Sequence, residues 1–258
     1  MSDILDKLAE QTQKTVATGY YETQTRRGKE NLSLVRSLEC CNGNPVITEI
    51  KTRSPSGGEL VDNINIVNVA REMMHTGSVG ISILTEPMYF NGELDNLQRV
   101  SEAVNIPLLM KDFIINPVQL SAAEKKGADI VLLIKTLFDR EYSEISLDEM
   151  INQAHKKGLE VLLETHNLNE FNESMDTEAD LIGINNRDLR TLNIDLETTK
   201  NIMETVEKQS KPVISESGIK GIHDIKYLKS CQVNGFLVGT MLMKSSNLGK
   251  TLRELIRA

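Results

Sequence analysis

The chain has no tryptophan, 4% aromatic residues, 3 cysteines, 4 histidines and 6 prolines in 258 residues. Each shortage excludes something. Three cysteines, two of them adjacent (Cys40 and Cys41), make neither a disulfide framework nor a metal knuckle. No His, Cys or Asp spacing of the metal-ligand type occurs, so no metal is expected. Basic residues are outnumbered, 29 Lys and Arg against 37 Asp and Glu, and the net charge of −8 speaks against non-specific nucleic-acid binding. A local basic pocket for a small anion is still allowed. Long apolar runs are also missing. The longest, Ile130 to Ile134, is far shorter than the ~20 residues of a membrane helix. The opening MSDILDKLAE lacks the apolar core of a signal peptide. The expectation is a soluble, cytoplasmic protein that binds neither nucleic acid nor membrane.

What recurs instead is a short Val/Ile/Leu-rich run followed by enough chain for a helix. The runs are VITEIK (46–51), SVGISIL (78–84), IPLLMKDF (106–113), DIVLLI (129–134), LEVLLET (159–165), DLIGIN (180–185), KPVISES (211–217) and NGFLVG (234–239). Helix signals lie between them. Gly77 suits a C-terminal cap after NIVNVAREMMHT, and Asn116, Pro117 and Gly127 suit the cap, first turn and end of another helix. Alternating strands and helices imply parallel strands with right-handed crossovers, and apolar runs suit strands covered on both faces. No G-x-G-x-x-G follows the first strand, which disfavours an open doubly wound sheet. The expected fold is α/β: one (β/α)8 TIM barrel spanning 1–258, its barrel at 46–258 and a helical extension at 1–45. Ile4, Leu5, Leu8 and Val16 give that extension a weak helical stripe, which reads equally as a lid over the barrel or as a surface helix.

In VITEIK, Glu49 and Lys51 share one face of the strand with Ile47, and a buried charge is costly unless paired or used. Active sites in such barrels sit at the C-terminal ends of the strands. The polar residues expected there are Glu49 and Lys51, Lys111 beside Phe113, Glu164, Asn185 and Arg187, then Glu216-Ser217-Gly218 and Gly239-Thr240. A structural ion pair explains any one of them well. Charges at several strand ends together are harder to explain that way. SESGI (215–219) and LVGTMLM (237–243) form a second constellation: Gly218 and Gly239 let backbone N–H groups approach an anion, with Ser217 and Thr240 as hydroxyl donors. Two ordinary glycine turns are the plain alternative. Of the histidines, only His166 can share the face of Glu164. Asp112 should point away from the barrel axis and hold a loop, and Cys231 reads as a core residue.

These segments resemble the indole-3-glycerol-phosphate synthase family. EIKTRSPSGG is similar to its Glu-(Ile/Val)-Lys-x-x-Ser-Pro-Ser segment, and ISILTEPMYFNG, LLMKDFIINPVQL, ADIVLLI, GLEVLLETH, LIGINNRDL, SESGI and FLVGTMLM resemble its later strand segments in order. The likeness runs from about Pro45 to the end. Two positions depart from the family pattern: Gly57 stands where Lys or Arg is usual, and Met110 where Arg is usual.

The resemblance implies the decarboxylating ring closure of 1-(2-carboxyphenylamino)-1-deoxyribulose 5-phosphate to indole-3-glycerol phosphate, CO2 and water, with no cofactor. It implies Lys111 as general acid, its pKa drawn downward by neighbours, and Glu164 as base. Lys51 meets the substrate carboxylate, Glu49 holds the lysines, and Asn185 and Ser217 orient polar groups. Phe90 and Phe113 wall the anthranilate ring, Arg187 also contacts substrate, and Ser54, Gly218, Gly239 and Thr240 receive the phosphate. The implied partner is that small molecule alone, and a monomer is compatible with it. A sugar-phosphate isomerase and an inert metabolite-sensing barrel are the other readings.

Overall fold

The computed structural model describes residues 3–24, 31–51, 53–54, 58–59, 64–206 and 209–258, with backbone only at 53–54 and 58–59. The first strand, β1 (Val46–Ile50), is followed by a two-residue pair, β2 (Arg53–Ser54) and β3 (Gly58–Glu59). Then come β4 (Gly80–Leu84), β5 (Leu108–Lys111), β6 (Ile130–Ile134), β7 (Glu160–Thr165), β8 (Leu181–Asn185), β9 (Val213–Glu216) and β10 (Gly235–Val238). Apart from the β2–β3 pair these strands are parallel and pair in chain order, and β10 returns to β1 to close the barrel. All eight apolar runs are therefore barrel strands.

Two helices precede the barrel, α1 (Ile4–Ala17) and α2 (Leu34–Glu39). The crossovers carry α3 (Ile66–Thr76), α4 (Leu94–Ser101), α5 (Pro117–Lys126), α6 (Lys135–Asp139), α7 (Leu147–Lys156), α8 (Leu168–Met175), α9 (Glu197–Met203) and α10 (Ile222–Ser230). The short α11 (Thr240–Met243) and the final α12 (Leu248–Arg257) follow β10. Gly77 and Gly127 end α3 and α5 in the left-handed conformation, at φ of 109° and 88°.

Strand alternation sorts the side chains into two buried layers. Ile47, Leu109, Leu132, Leu162 and Ile214 fill the barrel interior, while Val46, Ile83, Val131, Leu163 and Ile184 pack beneath the helices. Each such burial contributes about 1.5–3 kcal/mol. Met110 is fully buried in the outer layer, away from the barrel axis. Gly57 lies outside the described residues. Cys231 is half-buried and packs against the outer layer from its rim.

The extension covers both ends of the barrel. A Cβ on Gly80 would come within 2.9 Å of Leu34 Cδ1, and one on Gly235 within 2.9 Å of Leu38 Cδ2, so α2 seals the floor. At the opposite end α1 sends Leu5, Leu8 and Ala9 into the interior layer, and Ile4 and Leu8 reach the cavity at the mouth. Its first turn is fixed from outside, where Arg140 meets Asp3 at 2.9 Å and Asp6 at 2.6 Å. Of the two readings of the extension, the cover over the mouth is the one this packing supports.

The segment after α1 is held by a buried carboxylate. Tyr21 Oη donates to Asp112 Oδ2 at 3.0 Å, Thr85 Oγ1 donates to the same oxygen at 2.6 Å, and the Phe113 N–H donates to Oδ1 at 2.8 Å. Asp112 thus points outward and ties a loop, as alternation predicts. Burial pushes its carboxyl up to about 7. Because this lies above the ordinary value of 3.8, the folded state holds the proton more tightly. The stability it contributes is complete below about pH 4 and is lost as pH rises through 7. Asp112→Asn should therefore compare better with the parent protein at pH 8 than at pH 5. Thermal denaturation at the two values measures this, and equal differences would contradict it. Tyr21→Phe should cost about 1–3 kcal/mol, the usual effect of removing one partner from a buried polar group.

Candidate active site

Strand parity brings the charged side chains together. Glu49 ends the inward row of β1, and Lys51, two residues on, returns its Nζ to Glu49 Oε1 at 2.7 Å. Lys111 closes β5 and lies between two carboxylates, donating to Glu164 Oε2 at 3.0 Å and to Glu216 Oε2 at 2.9 Å. Asn185, at the end of β8, donates through Nδ2 to Glu164 Oε1 at 2.9 Å and accepts from the Arg187 N–H at 3.0 Å. The three carboxylates are only 1–3% exposed.

These carboxylates do not behave alike. Burial works to raise Glu164, but Lys111, His166 and Asn185 together hold it well below the usual carboxylate range. Glu216 is pushed up to about 7 by burial and by the neighbouring carboxylates Glu164 and Glu49, with Lys111 opposing them. Its Oε1 is buried with no hydrogen-bond partner among the described residues. Burial also raises Glu49, yet Lys51 and Lys111 overcome it and keep the group ionised. Lys111 corrects an expectation from the sequence. Burial alone would lower its pKa, but Glu164, Glu216 and Glu49 outweigh burial and push it above the ordinary lysine range. The resting ammonium is fully charged, not a poised weak base.

Across the mouth the backbone forms a concave turn. Ser217 and Gly218 are both left-handed, at φ of 64° and 90°. Asn186 holds this turn from behind: its Nδ2 donates to the carbonyls of Glu216 and Ser217 at 2.9 and 3.1 Å, while Thr199 Oγ1 donates to its Oδ1 at 2.7 Å. With those carbonyls turned toward Asn186, the following N–H groups are free to face the cavity. Gly239 leads directly into the short α11, the kind of extra helix that accompanies phosphate sites in this architecture. A Cβ there would lie 2.6 Å from Glu49 Oε1, so Gly239 also makes room for the Glu49–Lys51 pair.

The remaining wall is apolar. Phe90 and Phe113 pack with ring centroids 5.9 Å apart. Glu86 accepts from the N–H groups of Met88, Tyr89 and Phe90 at 2.7–3.0 Å and so shapes the loop that carries Phe90. Together these groups enclose about 840 Å³. Every residue given a catalytic or substrate-binding role from the sequence lines this one cavity except Ser54, whose side chain lies outside the described residues. Arg187 is half-buried on the rim, its guanidinium donating to the Leu192 carbonyl at 3.1 Å.

Comparison with known proteins agrees with the cavity. The family model described as "Indole-3-glycerol phosphate synthase" matches residues 2–255. The chain belongs to the indole-3-glycerol phosphate synthase family. It is 41% identical over 230 residues to the indole-3-glycerol phosphate synthase of Aquifex aeolicus, covering 88% of this chain and 87% of that one. With the Bacillus cereus (strain G9842) synthase it shares 37% over 256 residues, 98% of each chain. Among solved structures, a thiamine phosphate pyrophosphorylase from Pyrococcus furiosus superposes with a TM-score of 0.63 at 18% identity, over 86% of this chain and 96% of that one. At that identity the likeness is one of fold alone.

Three contributors in this synthase-family chain received no role from the sequence, although Glu216 was placed at its strand end. Glu216 was visible, since it shares the inward parity of Ile214, but the glycine turn after it drew the weight. Asn186 faces outward and acts only through the turn. Gly183 looks like a plain strand glycine, yet a Cβ there would collide with Glu216 Oε1. Gly183→Ala should therefore displace Glu216 from Lys111. We expect kcat to fall by up to ~10²-fold, the scale of a misplacement of about 1 Å, with little change in competition by inorganic phosphate. Parent-like kcat would show that Glu216 can move without consequence.

Proposed function

We propose that this cavity performs the family's reaction with Lys111 as the general acid and Glu164 as the base. The reaction is the decarboxylating ring closure of 1-(2-carboxyphenylamino)-1-deoxyribulose 5-phosphate to indole-3-glycerol phosphate, CO2 and water. The observation that carries the assignment is the Lys111 ammonium, shared by two buried carboxylates between an apolar wall and a glycine cradle.

A substrate spanning the cavity would place its phosphate at Gly218 and Gly239, within reach of the Ser217 and Thr240 hydroxyls, and its ring against Phe90 and Phe113. Its carboxylate then meets Lys51. The ring nitrogen supplies the electron push, so the aryl carbon bearing the carboxylate attacks the ketone. Lys111 gives its proton to the ketone oxygen as that oxygen gains charge. The developing alkoxide is basic enough to take a proton even from a lysine with a raised pKa. Loss of CO2 restores the aromatic ring. The new hydroxyl then leaves as water with a proton from Lys51, while Glu164 removes a proton from the carbon beside the nitrogen. Asn185 fixes the Glu164 carboxylate for that step, and Glu49 keeps Lys51 in place. Arg187 on the rim and Ser54 complete the set of substrate contacts. Every group used comes from one chain and the substrate is a small phosphate ester, so the same reading takes the enzyme to work as a monomer in the cytoplasm.

Lys111→Met should leave phosphate-end binding nearly intact and lower kcat by the ~10²–10⁴-fold of a lost general acid. Lys51→Met should weaken binding as well, because the substrate carboxylate loses its partner. Indole fluorescence follows turnover against a low background, since the chain contains no tryptophan. A Lys111→Met enzyme that keeps most of its turnover would move the acid role to Lys51.

A further inference from the structure

Lys111 serves two carboxylates, and in the proposed sequence it gives up its proton in the first step. At that moment Glu164 and Glu216 both lose the neighbouring positive charge that favoured their ionised forms. If the next proton settled on Glu164, no base would remain for the later proton abstraction. Something must separate the two carboxylates. Glu216 is ion-paired with Lys111 alone among the described residues. Glu164 has a second neighbour on its far side.

That neighbour is His166, two residues on in the same inward row. Its Nε2 lies 3.2 Å from Glu164 Oε1, a charge contact that is not aligned as a hydrogen bond. Its Nδ1 lies 3.4 Å from Glu170 Oε2 on α8. Glu170 is itself anchored by the His166 N–H at 2.9 Å, Thr136 Oγ1 at 3.1 Å and Asn167 Nδ2 at 2.7 Å. The ring therefore sits between two carboxylates, and its side chain is 12% exposed. The groups facing it are Glu164 from β7, Glu170 from α8 and the Thr136 hydroxyl from α6, 3.5 Å from Nδ1. Lys135 on α6 is engaged elsewhere, by Asp139 and by Glu173 at 2.7 Å. His166 is not among the residues that line the cavity.

We propose that His166 is a positioning residue for the base: wedged between Glu164 and Glu170, its ring keeps Glu164 oriented and ionised after Lys111 has delivered its proton. This rests on the assignment of Glu164 as base. The charge on the ring is sustained by its surroundings: burial opposes it, but Glu164 and Glu170 raise the imidazole to about 9. Lys111 is spent during turnover and His166 is not. The asymmetry gives the two carboxylates different jobs: above about pH 7, where Glu216 is ionised, the solvent proton that replaces the one Lys111 delivered goes to Glu216, 2.9 Å from the Lys111 amine to which it returns it, and Glu164 stays free to abstract one from carbon.

The test is His166→Asn, a neutral residue of similar reach, assayed with substrate carrying either hydrogen or deuterium on the methylene beside the nitrogen. We expect KM to stay within a few-fold and kcat to fall about 10- to 100-fold, as for a misplaced reacting group. The deuterium isotope effect on kcat should rise, because proton abstraction by Glu164 becomes limiting. A fall in folded fraction alone would leave that isotope effect unchanged, and an unchanged isotope effect overturns the proposal. Glu170→Gln, which leaves the cavity wall untouched, should act in the same direction more weakly. Independently of any variant, the NMR titration of the ring, one of only 4 histidines, should place its pKa near 9. Titration near the ordinary ~6.5 overturns the proposal even if His166→Asn does not fold. Glu164→Gln separates the two ideas. If it turns over normally, the base assignment fails; if it is inactive while His166→Asn has parent-like kinetics, only the positioning role fails.

Discussion

Removing an ammonium and three carboxylates from water costs several kcal/mol per ion unless their mutual geometry repays it. At the mouth of this barrel the repayment is the sharing of Lys111 between Glu164 and Glu216, 3.0 and 2.9 Å away. Much of the surrounding structure is arranged to permit that contact. Gly183 is small because the Glu216 carboxylate lies over it, and Gly239 is small because Glu49 does. Asn185 and His166 brace Glu164, while Glu216 is left with one oxygen unpartnered. The unequal bracing is chemically useful, because paired titratable groups whose pKa values are driven apart can take different roles in proton transfer.

The same economy governs the scaffold. The barrel interior is filled by side chains from alternate strand positions, so the strand ends are rigid mounts for the charged groups. The extension closes the floor through Leu34 and Leu38 and approaches the mouth through Ile4 and Leu8. Its Tyr21–Asp112 hydrogen bond reaches the residue between Lys111 and Phe113, so the docking of the extension bears directly on the strand end that carries Lys111. The left-handed Ser217 is a strained conformation for a residue with a side chain, and Asn186 holds it at the turn after β9.

Much of this is legible in the sequence. Parallel barrel strands are buried on both faces, so they stand out as continuous apolar runs, and all eight were found. Two-residue alternation then put Glu49, Lys51, Lys111, Glu164 and Asn185 on the inward side. What alternation cannot count is how many carboxylates meet one lysine across the barrel. The lowered Lys111 pKa that the resemblance implied is therefore reversed, since the sequence names the three glutamates at the mouth but not that all three act on this one ammonium. The Tyr21–Asp112 contact spans 91 positions, and nothing local in either segment announces it. His166 carried a signal, its parity with Glu164, but the role of its ring depends on Glu170, which arrives from the next helix.

The central claim is that one buried lysine keeps its proton while its two carboxylates are unequal, and neutron diffraction at about pH 6 and again at about pH 8 observes those protons directly. The account predicts three deuterons on Lys111 Nζ and none on Glu164 at both values, while the Glu216 carboxyl, pushed up to about 7, carries one at the lower value and none at the higher. A deuteron on Glu164, or a neutral Lys111 with two, would contradict it.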